Sequence, residues 1–541
     1  MTAADQESTD YDVIVVGSGA AGLTAALAAA RSGATVTVLE ASGRFGGTTS
    51  VSGGQVWIPG NDHMAEIGEQ DSTADARAYC ADHSPGRDPA LIDAFIDAAP
   101  VAVREIERHS PIRFTPMDTP DSLAEHPGAR LRGRNLEPAP LETGPFTPWE
   151  EWTWSPPYPA VLTNAEVAGL KLISGGAPPM DLIGQRMRDS LVTLGVGLVV
   201  GLLRGCRDAG VRLERGCPVR ELVRSGTGVV TGVVTEREGR PLTMSARHGV
   251  VLATGGFEHD EAMRRMLLDL PDPVPASPPV SKGDGLRLAA SAGAMLGHLS
   301  ESWCWPVIVG KATWDDEQAT PRADLMIAER ALPHTIWVNA AGRRFVNEAA
   351  HNCALAFTET DPATGRPRNL PAYVIGDARY RERYALAGAP PGEPAPEGVV
   401  TADSLGELAV GTGIDAEALQ ATVRAFNTDA ASGVDTAFGR GEGAYDRGIG
   451  DGDAAHPNLG TVERPPFFAL PVRTGMVGTK GGPCTDGDGR VLDWSGVPIA
   501  GLFAAGNAAD SVIGPGILSS GMTLGLAVAF GWRAGTVAAG R

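Results

Sequence analysis

The chain has 541 residues with a formal net charge of −20, and 43% of its residues are hydrophobic. This length predicts two domains, or one domain with a large insertion, and the apolar content is enough for a sizeable core. The negative charge argues against nucleic acid and against an anionic membrane surface as partners.

The first predicted unit is a strand, a helix and a second strand between residues 11 and 40. Tyr11–Val16 is a short apolar, β-branched run that predicts a buried strand. Ala20–Ser32 is rich in alanine and lacks proline, which favours a helix. Ala34–Leu39 predicts the second strand.

Glycines at the first turn of this unit predict a dinucleotide site. Gly17, Gly19 and Gly22 stand in G-x-G-x-x-G spacing, which permits a tight turn, a close approach to a pyrophosphate and close packing of the helix. The helix then presents free N–H groups to the phosphates. Glu40 follows the second strand and can accept hydrogen bonds from the ribose hydroxyls. This pattern fits NAD and FAD equally well.

A second glycine-rich segment favours FAD. Arg44–Ser50 reads RFGGTTS and supplies a Gly-Gly pair with hydroxyls just after the acidic residue. Such a loop can pack against the pyrophosphate and resembles the FAD-dependent flavoproteins. The stretch VSGGQVWIPGN comes next and can run under the flavin ring. The further residues predicted to contact FAD here are Ala20, Ala21, Ala41, Gly46, Gly47, Thr48, Thr49, Ser50, Gly53 and Gly54.

Two helices and a long loop follow. Asp71–His109 predicts a helix in two pieces, broken at Ser84–Arg87. Ser110–Tyr158 is loop-rich, with many prolines and three tryptophans. A loop of this kind predicts a lid or a binding element, with a surface arm or an oligomer contact as the alternative.

The chain then returns to strand patterns. Val199–Ala209 predicts a helix, Pro218–Val234 predicts a β meander, and His248–Thr254 is an apolar run that leads into a Gly-Gly pair. This pair predicts a second close backbone approach, near the adenine end of the nucleotide. Gly283–Gly297 has apolar residues at helical spacing. The residues predicted to contact the cofactor in this part are Val219, Ala253, Thr254, Gly255 and Gly256.

The last part of the chain is again rich in glycine. Ile499–Asn507 predicts a strand that ends at glycine, and Gly521–Gly535 predicts a helix that glycine opens. The start of this helix can point at the flavin N1–C2=O region and stabilise the anionic reduced ring. The residues predicted to contact the cofactor here are Gly506, Asn507, Gly521 and Thr523.

These elements predict an α/β fold with an α+β insertion. The βαβ unit and the C-terminal strand and helix form one Rossmann-like FAD-binding domain, residues 1–285 and 465–541. Residues 286–464 have more loops, charge clusters and short helices, and they form an inserted substrate domain.

Metal content and location are predicted from the cysteines and the N-terminus. None of the six cysteines forms a C-x-x-C pair, so we predict no metal site and no dithiol redox centre. Scattered single cysteines suit a reducing cytoplasm. The first residues, MTAADQESTD, are unlike a signal peptide, and no apolar run reaches about 18 residues. We therefore predict a cytoplasmic protein without a membrane span.

Several motifs resemble the flavoproteins that group fumarate reductases with 3-ketosteroid dehydrogenases, and the match is nearest to the 3-ketosteroid dehydrogenases. The resemblance covers most of the chain and implies this fold, FAD as cofactor and an oxidoreductase. The motifs are FGGTTSVSGGQVWIPGN at 45–61, ATGGFEHD at 253–260, GDGLRLAASAGA at 283–294, LPHTIWVNAAGRRFVNEA at 332–349, GTKGG at 478–482 and GMTLGLAVAFG at 521–531.

The chain departs from the fumarate reductase pattern. That branch has a histidine before a T-x-G-G stretch and an arginine in the final glycine-rich loop, and both hold substrate carboxylates. Here Met476–Gly482 contains no histidine and Gly514–Gly521 contains no arginine. A dianion would be costly to bury without these partners. The resemblance therefore implies an uncharged, ketone-like substrate.

The chain also departs from the 3-ketosteroid dehydrogenase pattern. Activity in that branch depends on tyrosines at three places and on a backbone amide. Ile517, Asn352 and Ser122 stand at the tyrosine positions. Gly521 matches the amide that polarises the substrate carbonyl. Compared with that branch, the chain therefore keeps the amide that would stabilise an enolate-like oxygen and lacks the tyrosine acid/base set.

Other residues are therefore candidates for catalysis. The Gly521 N–H and the hydroxyl of Ser519 or Ser520 can stabilise an enolate-like oxygen, unless the two serines only cap the helix. His351 and Asn352 occupy the acid/base region. A histidine that titrates near neutrality suits proton transfer, and a packing role is the alternative.

Second choices lie nearby. Arg330 precedes the VN segment much as the proton-donating arginine of the fumarate reductases does, but a structural ion pair is the favoured role. His334 is a further alternative, and so is Tyr445 unless it only packs. The tryptophans that can line an apolar pocket, or belong to the core, are Trp152, Trp154, Trp303 and Trp305.

We predict an FAD-dependent dehydrogenase that acts on the CH–CH bond next to the ketone of a cyclic or polycyclic substrate, with hydride transfer to flavin N5. The alternatives are an ene-reductase that runs the reverse reaction, and an isomerase or flavin-binding protein without redox turnover. The predicted partners are a small ketone-type substrate and an unidentified electron acceptor or donor. No second complete nucleotide fingerprint is found, so no NAD(P)H domain is predicted.

Overall fold

The computed structural model describes residues 10–540. The predicted absence of a signal peptide rests almost entirely on residues 1–9, which lie outside the described part. Within residues 10–540, no helix is long and apolar enough to cross a membrane.

An eight-stranded sheet is built from the first half of the chain and from its C-terminal end. Its central strand, Asp10–Val16, pairs in parallel with Arg240–Leu252 on one side and with Val36–Glu40 on the other. Pro498–Ala504 extends the sheet in parallel beside Arg240–Leu252. The remaining strands of this sheet are Arg212–Arg215, Val219–Arg224, Val230–Arg237 and Arg490–Leu492.

The central strand is buried on both faces, as its apolar sequence predicts. Val13 and Val15 pack into one hydrophobic cluster, whereas Ile14 and Val16 pack into another cluster. Successive side chains of a strand point to opposite faces, so the two clusters cover the two faces of the sheet. This arrangement is typical of parallel sheets in α/β folds.

Several strands of this sheet end side by side. Val16 pairs with both Leu39 and Leu252, and Leu252 pairs with Ala504. The turns that follow these residues therefore begin at one edge, the carboxyl edge, where open α/β sheets bind their ligands. The predicted cofactor residues that follow these strand ends are Gly17, Glu40, Ala253 and Gly506.

Both ends of the chain meet in the helical layer on this sheet. The first helix, Ala20–Arg31, packs along the C-terminal helix, Met522–Ala538, which also contacts Pro89–His109. The crossing is close, because a Cβ added at Gly535 would lie only 2.1 Å from the Ala25 carbonyl oxygen. Both ends of the chain therefore contribute to this sheet and its helical layer, and the division of the chain into domains stays a prediction.

Replacing Gly535 with alanine should lower the free energy of unfolding by about 1–3 kcal/mol, because the new methyl group overlaps a backbone oxygen. Urea denaturation of the FAD-loaded protein measures this loss. Gly226→Ala is the matched control, since no atom lies within 4 Å of a Cβ added there. Equal losses in the two variants would contradict the close helix crossing.

A second sheet of seven strands forms the middle of the molecule. Its central strand, Phe467–Thr479, pairs with Ser302–Thr313 and with Ala372–Gly376. This central strand follows residue 464, so the second sheet extends beyond the predicted insertion, and the boundaries of the two domains stay a prediction. The other strands of this sheet are Val274–Pro275, Pro321–Leu325, Thr335–Asn339 and Val400–Ala402.

The predicted helix breaks agree well with the structure. The segment predicted as two helices forms Thr73–Asp82 and Pro89–His109. The helix predicted over Gly283–Gly297 spans only Asp284–Ser291, because Gly293 then adopts a φ of 89°. The remaining helices are Gly47–Ser50, Asn164–Gly169, Met180–Arg188, Leu194–Asp208, Glu261–Leu267, Ala328–Ala331, Ala378–Arg383, Leu405–Thr412, Ala416–Ser432 and Ala444–Gly448.

Candidate active site

The first glycine turn is tightly packed against the neighbouring strand. Gly17 has a φ of 103°, and a Cβ added there would lie 2.3 Å from the Ala253 carbonyl oxygen. A Cβ added at Gly22 would lie 2.0 Å from the Gly17 carbonyl oxygen. Only glycine fits at these two positions. A Cβ added at Gly19 would be much less crowded, with the Thr49 hydroxyl at 3.5 Å as its nearest atom.

Glu40 is buried at the end of its strand and carries hydrogen bonds from two serines. Ser18 Oγ donates to Glu40 Oε2 at 2.5 Å, and the Ser42 N–H donates to Oε1 at 2.9 Å. Burial raises the pKa of the Glu40 carboxyl, and these hydrogen bonds oppose the rise. The Gly46 N–H donates to Ser18 Oγ at 3.0 Å, so Ser18 connects the acid to the second glycine-rich loop.

The RFGGTTS loop lies directly against the first turn. Thr49 Oγ1 accepts from the Ala20 N–H at 3.0 Å, at the start of the first helix. Gly46 has a φ of 96°, and the short helix Gly47–Ser50, which includes Thr48, follows it. The Gly53 carbonyl accepts from Asn164 Nδ2 at 2.8 Å. The structure therefore brings this predicted loop to the predicted pyrophosphate position.

The C-terminal part completes the same edge. A Cβ added at Gly506 would lie 2.9 Å from the Ala21 Cβ, so the last strand ends beside the first helix. Gly506, Asn507 and Thr523 line one cavity together with Trp303 and Lys480. Val219 and Ala41 lie near Glu40, because the Cys217 N–H donates to the Glu40 carbonyl oxygen at 2.9 Å.

These residues fit FAD. The two glycine loops, the buried acid and the cavity near Gly506 lie at one edge of the sheet, where a dinucleotide can extend from the Glu40 side toward the C-terminal helix.

Other predicted contacts have a packing role that the structure shows. A Cβ added at Gly255 would lie 2.7 Å from Ser281 Oγ, and one at Gly256 would lie 2.0 Å from Thr479 Oγ1. A Cβ added at Gly54 would lie 2.3 Å from the Leu194 carbonyl carbon. The roles of these residues and of Thr254 toward the cofactor stay a prediction.

The loop Gly514–Gly521 leads into the C-terminal helix and is fixed at its start by a buried lysine. Lys480 Nζ donates to the carbonyl oxygens of Gly514, Pro515 and Gly516, the last two at 2.9 and 2.8 Å. The Lys480 side chain is fully buried, with Nζ 4.2 Å from the centre of the Trp303 ring. Burial lowers the pKa of Lys480 to about 7.

The same loop is held further along by side chains from three other segments. Asn352 Oδ1 accepts from the Ile517 N–H at 2.7 Å, and Asn352 Nδ2 donates to the Ile517 carbonyl at 3.1 Å. Tyr79 Oη donates to the Leu518 carbonyl at 2.6 Å. Asn135 Nδ2 donates to Ser519 Oγ at 3.1 Å. Asn352, predicted as an acid/base candidate, thus makes a positioning contact with both ends of its amide.

Gly521 begins the helix as predicted. It is the N-cap residue, with a φ of 77°, and the helix starts at Met522. No side chain caps this helix, so the alternative that Ser519 and Ser520 are its caps is wrong. The N–H groups at a helix start have no partner inside the helix. The Gly521 N–H is therefore suited to donate to a substrate oxygen, while Ser519 Oγ accepts from Asn135 and keeps its own O–H as a donor.

His351 lies in a buried cluster beside this loop. Its Nδ1 is 2.8 Å from Ser122 Oγ and 3.5 Å from the Ile517 carbonyl oxygen. The rings of Trp305 and Tyr445 each pack edge-on against the imidazole, with centroids 4.9 Å away. The structure therefore unites His351 with Ser122, which the sequence marks only as a lost tyrosine position.

The prediction that His351 titrates near neutrality is wrong. Burial, together with the positive charge of Arg330, lowers the pKa of His351 to about 3. The imidazole is therefore neutral across the physiological range, which is the form that can accept a proton.

This burial should appear in the pH dependence of stability. Between pH 6.5 and about 3 the unfolded chain binds a proton at His351 that the native protein does not, because burial lowers the native pKa. Stability should therefore fall as the pH falls through this window. Urea midpoints at several pH values measure this slope, and His351→Asn should flatten it. An unchanged slope would contradict a neutral, buried His351.

Arg330 and Tyr445 form the outer side of the cluster. Arg330 Nη1 donates to the carbonyls of Ala349 at 2.6 Å and Ala350 at 3.1 Å, and Nη2 donates to Tyr445 Oη at 3.1 Å. Within residues 10–540 its partners are carbonyls and a hydroxyl, which corrects the predicted ion pair. The guanidinium lies 4.9 Å from the Trp305 ring centre. It is a buried charge that faces the histidine.

The other candidates lie apart from this cluster. His334 Nδ1 contacts the Thr461 carbonyl at 2.9 Å. Trp154 packs against Trp314, and Trp152 packs against Phe146. Of the four tryptophans considered, Trp303 and Trp305 are therefore the two at the site.

Three residues of the site have little signal in the sequence. Lys480 is the single charge in a glycine-rich segment, and such a lysine between glycines could have been singled out. Tyr79 lies in a helix with no motif around it, and Ser122 is marked only by the resemblance, as a position where a tyrosine is missing. Their roles follow only from the folded contacts with His351 and with the Leu518 carbonyl.

The comparisons agree with this geometry. A model of the family described as "FAD binding domain" matches residues 12–524. The fold and the dinucleotide cradle thus define an FAD-dependent oxidoreductase. The chain belongs to the family of FAD-dependent flavoproteins that includes the fumarate reductases and the 3-ketosteroid dehydrogenases, as the resemblance implies.

The chain is similar to several dehydrogenases, and the similarity extends over nearly the whole length of both proteins. A 4-oxocyclohexanecarboxylate 2-dehydrogenase of Sinomonas cyclohexanicum is 37% identical, over 98% of this chain and 93% of its own. A 3-oxosteroid 1-dehydrogenase of Mycobacterium tuberculosis is 36% identical, over 97% of each. The crystal structure of the 3-ketosteroid Δ1-dehydrogenase of Sterolibacterium denitrificans, in complex with 1,4-androstadiene-3,17-dione, has a TM-score of 0.90 at 33% identity and covers 98% of this chain and 100% of its own.

Proposed function

We propose that this protein introduces a double bond between the α and β carbons of a cyclic ketone. Its relatives are named as dehydrogenases of ring compounds that carry an oxo group. The observation that carries the proposal is the buried Ser122–His351 pair beside the loop that ends in the Gly521 N–H. A proton acceptor and a carbonyl-binding donor are the two protein groups that this reaction requires.

The Gly521 N–H polarises the substrate carbonyl. It stands at the positive end of the helix Met522–Ala538, which favours negative charge on a bound oxygen. The contacts of Lys480, Asn352 and Tyr79 hold the preceding loop in one position. A donor that is fixed before the reaction stabilises an enolate-like oxygen without a reorganisation cost.

His351 accepts the α proton. The Ile517 carbonyl can only accept a hydrogen bond, so its contact with Nδ1 favours a proton on that nitrogen. The Nε2 lone pair is then available for the substrate, while Ser122 Oγ fixes the ring orientation. Burial keeps this imidazole neutral, but the same lowered pKa makes it a weak base, so the Gly521 N–H must acidify the α proton by polarising the carbonyl. Trp305 and Tyr445 supply apolar ring faces beside it for a cyclic substrate.

FAD, when bound, would supply the acceptor for the hydride of the β carbon. The residues that hold it are the glycines at 17, 19 and 22, Glu40 with Ser18, the Thr49 loop and the cavity near Gly506. The substrate loses one proton and one hydride, and a second substrate must then reoxidise the cofactor. This second substrate is the electron acceptor, and a quinone, oxygen or another small molecule is compatible with the sequence.

Anaerobic mixing of the FAD-loaded protein with saturated ketones tests the reaction. We expect the yellow colour to bleach with 4-oxocyclohexanecarboxylate or with a saturated 3-oxosteroid, and the product to lack two hydrogen atoms. Addition of oxygen or of a quinone analogue should restore the colour and identify the acceptor. Bleaching only by an external reductant, followed by recovery with an enone, would indicate the ene-reductase instead. A protein that no ketone bleaches would contradict the proposal.

A further inference from the structure

A pair of imidazoles and a carboxylate meet at the surface next to the substrate loop, Gly514–Gly521. Asp82, His83 and His126 each offer one ligand atom, and these atoms lie within 4.8 Å of one another. The rings of the two histidines meet at an angle of 71°, with centroids 4.6 Å apart. The sequence alone does not show this group, because His126 lies in a separate turn that follows the helix Pro89–His109.

His83 has a ring nitrogen that is ready to act as a ligand. Its Nε2 is buried and has no hydrogen-bond partner within residues 10–540. Asp82 Oδ2 is 3.8 Å from this nitrogen, which is too far for a hydrogen bond. A buried polar atom without a partner is costly, and a bound cation would satisfy it. Asp82 and His126 are exposed, so an ion can enter from solvent.

We propose that Asp82, His83 and His126 bind a divalent transition-metal ion of the Zn²⁺ class, and that this ion slows turnover. Two nitrogens and one oxygen are a donor set that Zn²⁺, Co²⁺ and Ni²⁺ accept, with water in the fourth position. Ligand atoms around tetrahedral Zn²⁺ lie about 3.3 Å apart. The exposed side chains of Asp82 and His126 reach that spacing by rotating toward His83, while the half-buried His83 ring stays in place.

The site is connected to the substrate loop through two contacts. The His83 ring packs against the Tyr79 ring at 5.3 Å, and Tyr79 Oη donates to the Leu518 carbonyl. A Cβ added at Gly514 would lie 3.2 Å from the His83 carbonyl oxygen, so the start of the loop rests on this residue.

The turn that carries His126 contacts the same group. The His126 N–H donates to the Leu123 carbonyl at 3.0 Å, and the Leu123 N–H donates to Tyr79 Oη at 3.2 Å. An ion that joins His83 to His126 therefore ties together both segments that flank Tyr79. Turnover slows because the ion draws the His126 turn toward His83, and the movement reaches Tyr79 Oη and the Leu518 carbonyl that it holds. A shift of about 1 Å at the Gly521 N–H, three residues further on, is enough to slow the reaction.

Equilibrium dialysis of the FAD-loaded, chelator-treated protein against Zn²⁺ alone tests the binding, and this test does not depend on the proposed reaction. We expect one Zn²⁺ per chain at micromolar concentration. His126→Ala and Asp82→Ala should weaken this binding at least tenfold, and both residues are exposed, so the variants should fold. His248→Ala, at an exposed histidine elsewhere, is the matched control. Wild-type binding that is absent, or that His126→Ala leaves unchanged, would overturn the site.

A second measurement tests the effect on turnover. Zn²⁺ at saturating concentration should lower kcat of the wild-type protein several-fold and leave kcat of His126→Ala unchanged. Co²⁺ should act in the same way, whereas Mg²⁺, which prefers oxygen ligands, should have no effect. Equal inhibition of both proteins by Zn²⁺ would overturn the connection between this site and the loop.

Discussion

Replacing His351 with alanine should lower kcat by about a hundredfold or more while FAD stays bound, because the positioned proton acceptor is lost. The ring is buried and packs against Trp305 and Tyr445, so the variant also leaves a cavity. Retention of the yellow cofactor and an unchanged visible spectrum separate loss of chemistry from loss of structure. Stopped-flow bleaching of the flavin by a saturated ketone measures the chemical step directly.

Two variants locate the effect within the cluster. Ser122→Ala should keep the imidazole and lose only its 2.8 Å contact, so kcat should fall by about tenfold. Tyr445→Phe removes the hydroxyl that accepts from Arg330 and preserves the ring face against His351. A Tyr445→Phe variant that loses more activity than His351→Ala would assign the proton to the tyrosine. Full activity of His351→Ala would remove the histidine from the mechanism.

The cofactor half of the molecule follows closely from the sequence. Strand, glycines, helix and acid are local patterns, and the close packing at Gly17 and Gly22 is the physical reason for their spacing. Glu40 lies at the predicted edge, and Gly521 begins the predicted helix. Such features depend on backbone geometry within a few residues, so they can be predicted without knowledge of distant contacts.

The catalytic half depends on contacts between distant segments. Ser122 meets His351 across 229 positions, and no local pattern connects them. The pKa of His351 also reverses the prediction, because burial and a neighbouring guanidinium are properties of the fold rather than of the residue type. The second sheet shows the same limit, since its central strand Phe467–Thr479 resembles any other apolar run until its partners are known.

Lys480 lies in a local glycine-rich pattern, but its role depends on contacts with a distant loop. Its replacement should have a large effect on kcat/KM. Lys480→Met should lower kcat/KM by about a hundredfold or more, because methionine fills the space of the lysine side chain up to Cε and donates to none of the three carbonyls. The Gly514 carbonyl is buried, so the loss of its donor costs about 1–3 kcal/mol, which the loop can relieve by shifting. A shift of about 1 Å at the Gly521 N–H is enough for a loss of this size. Lys282→Met, at an exposed lysine, is the matched control.

The pH profile distinguishes a positioning role of Lys480 from a merely structural one. Burial lowers the pKa of Lys480 to about 7, so the ammonium loses a proton as the pH rises through neutrality. A neutral amine has two N–H donors for three carbonyls, and the loop is then held less firmly. We therefore expect kcat/KM of the wild-type protein to fall above about pH 7, with FAD still bound, and the Lys480→Met variant to lack this alkaline decline. A wild-type profile that stays flat to pH 9, or an identical decline in the variant, would show that the charge on Lys480 does not set the position of the Gly521 N–H.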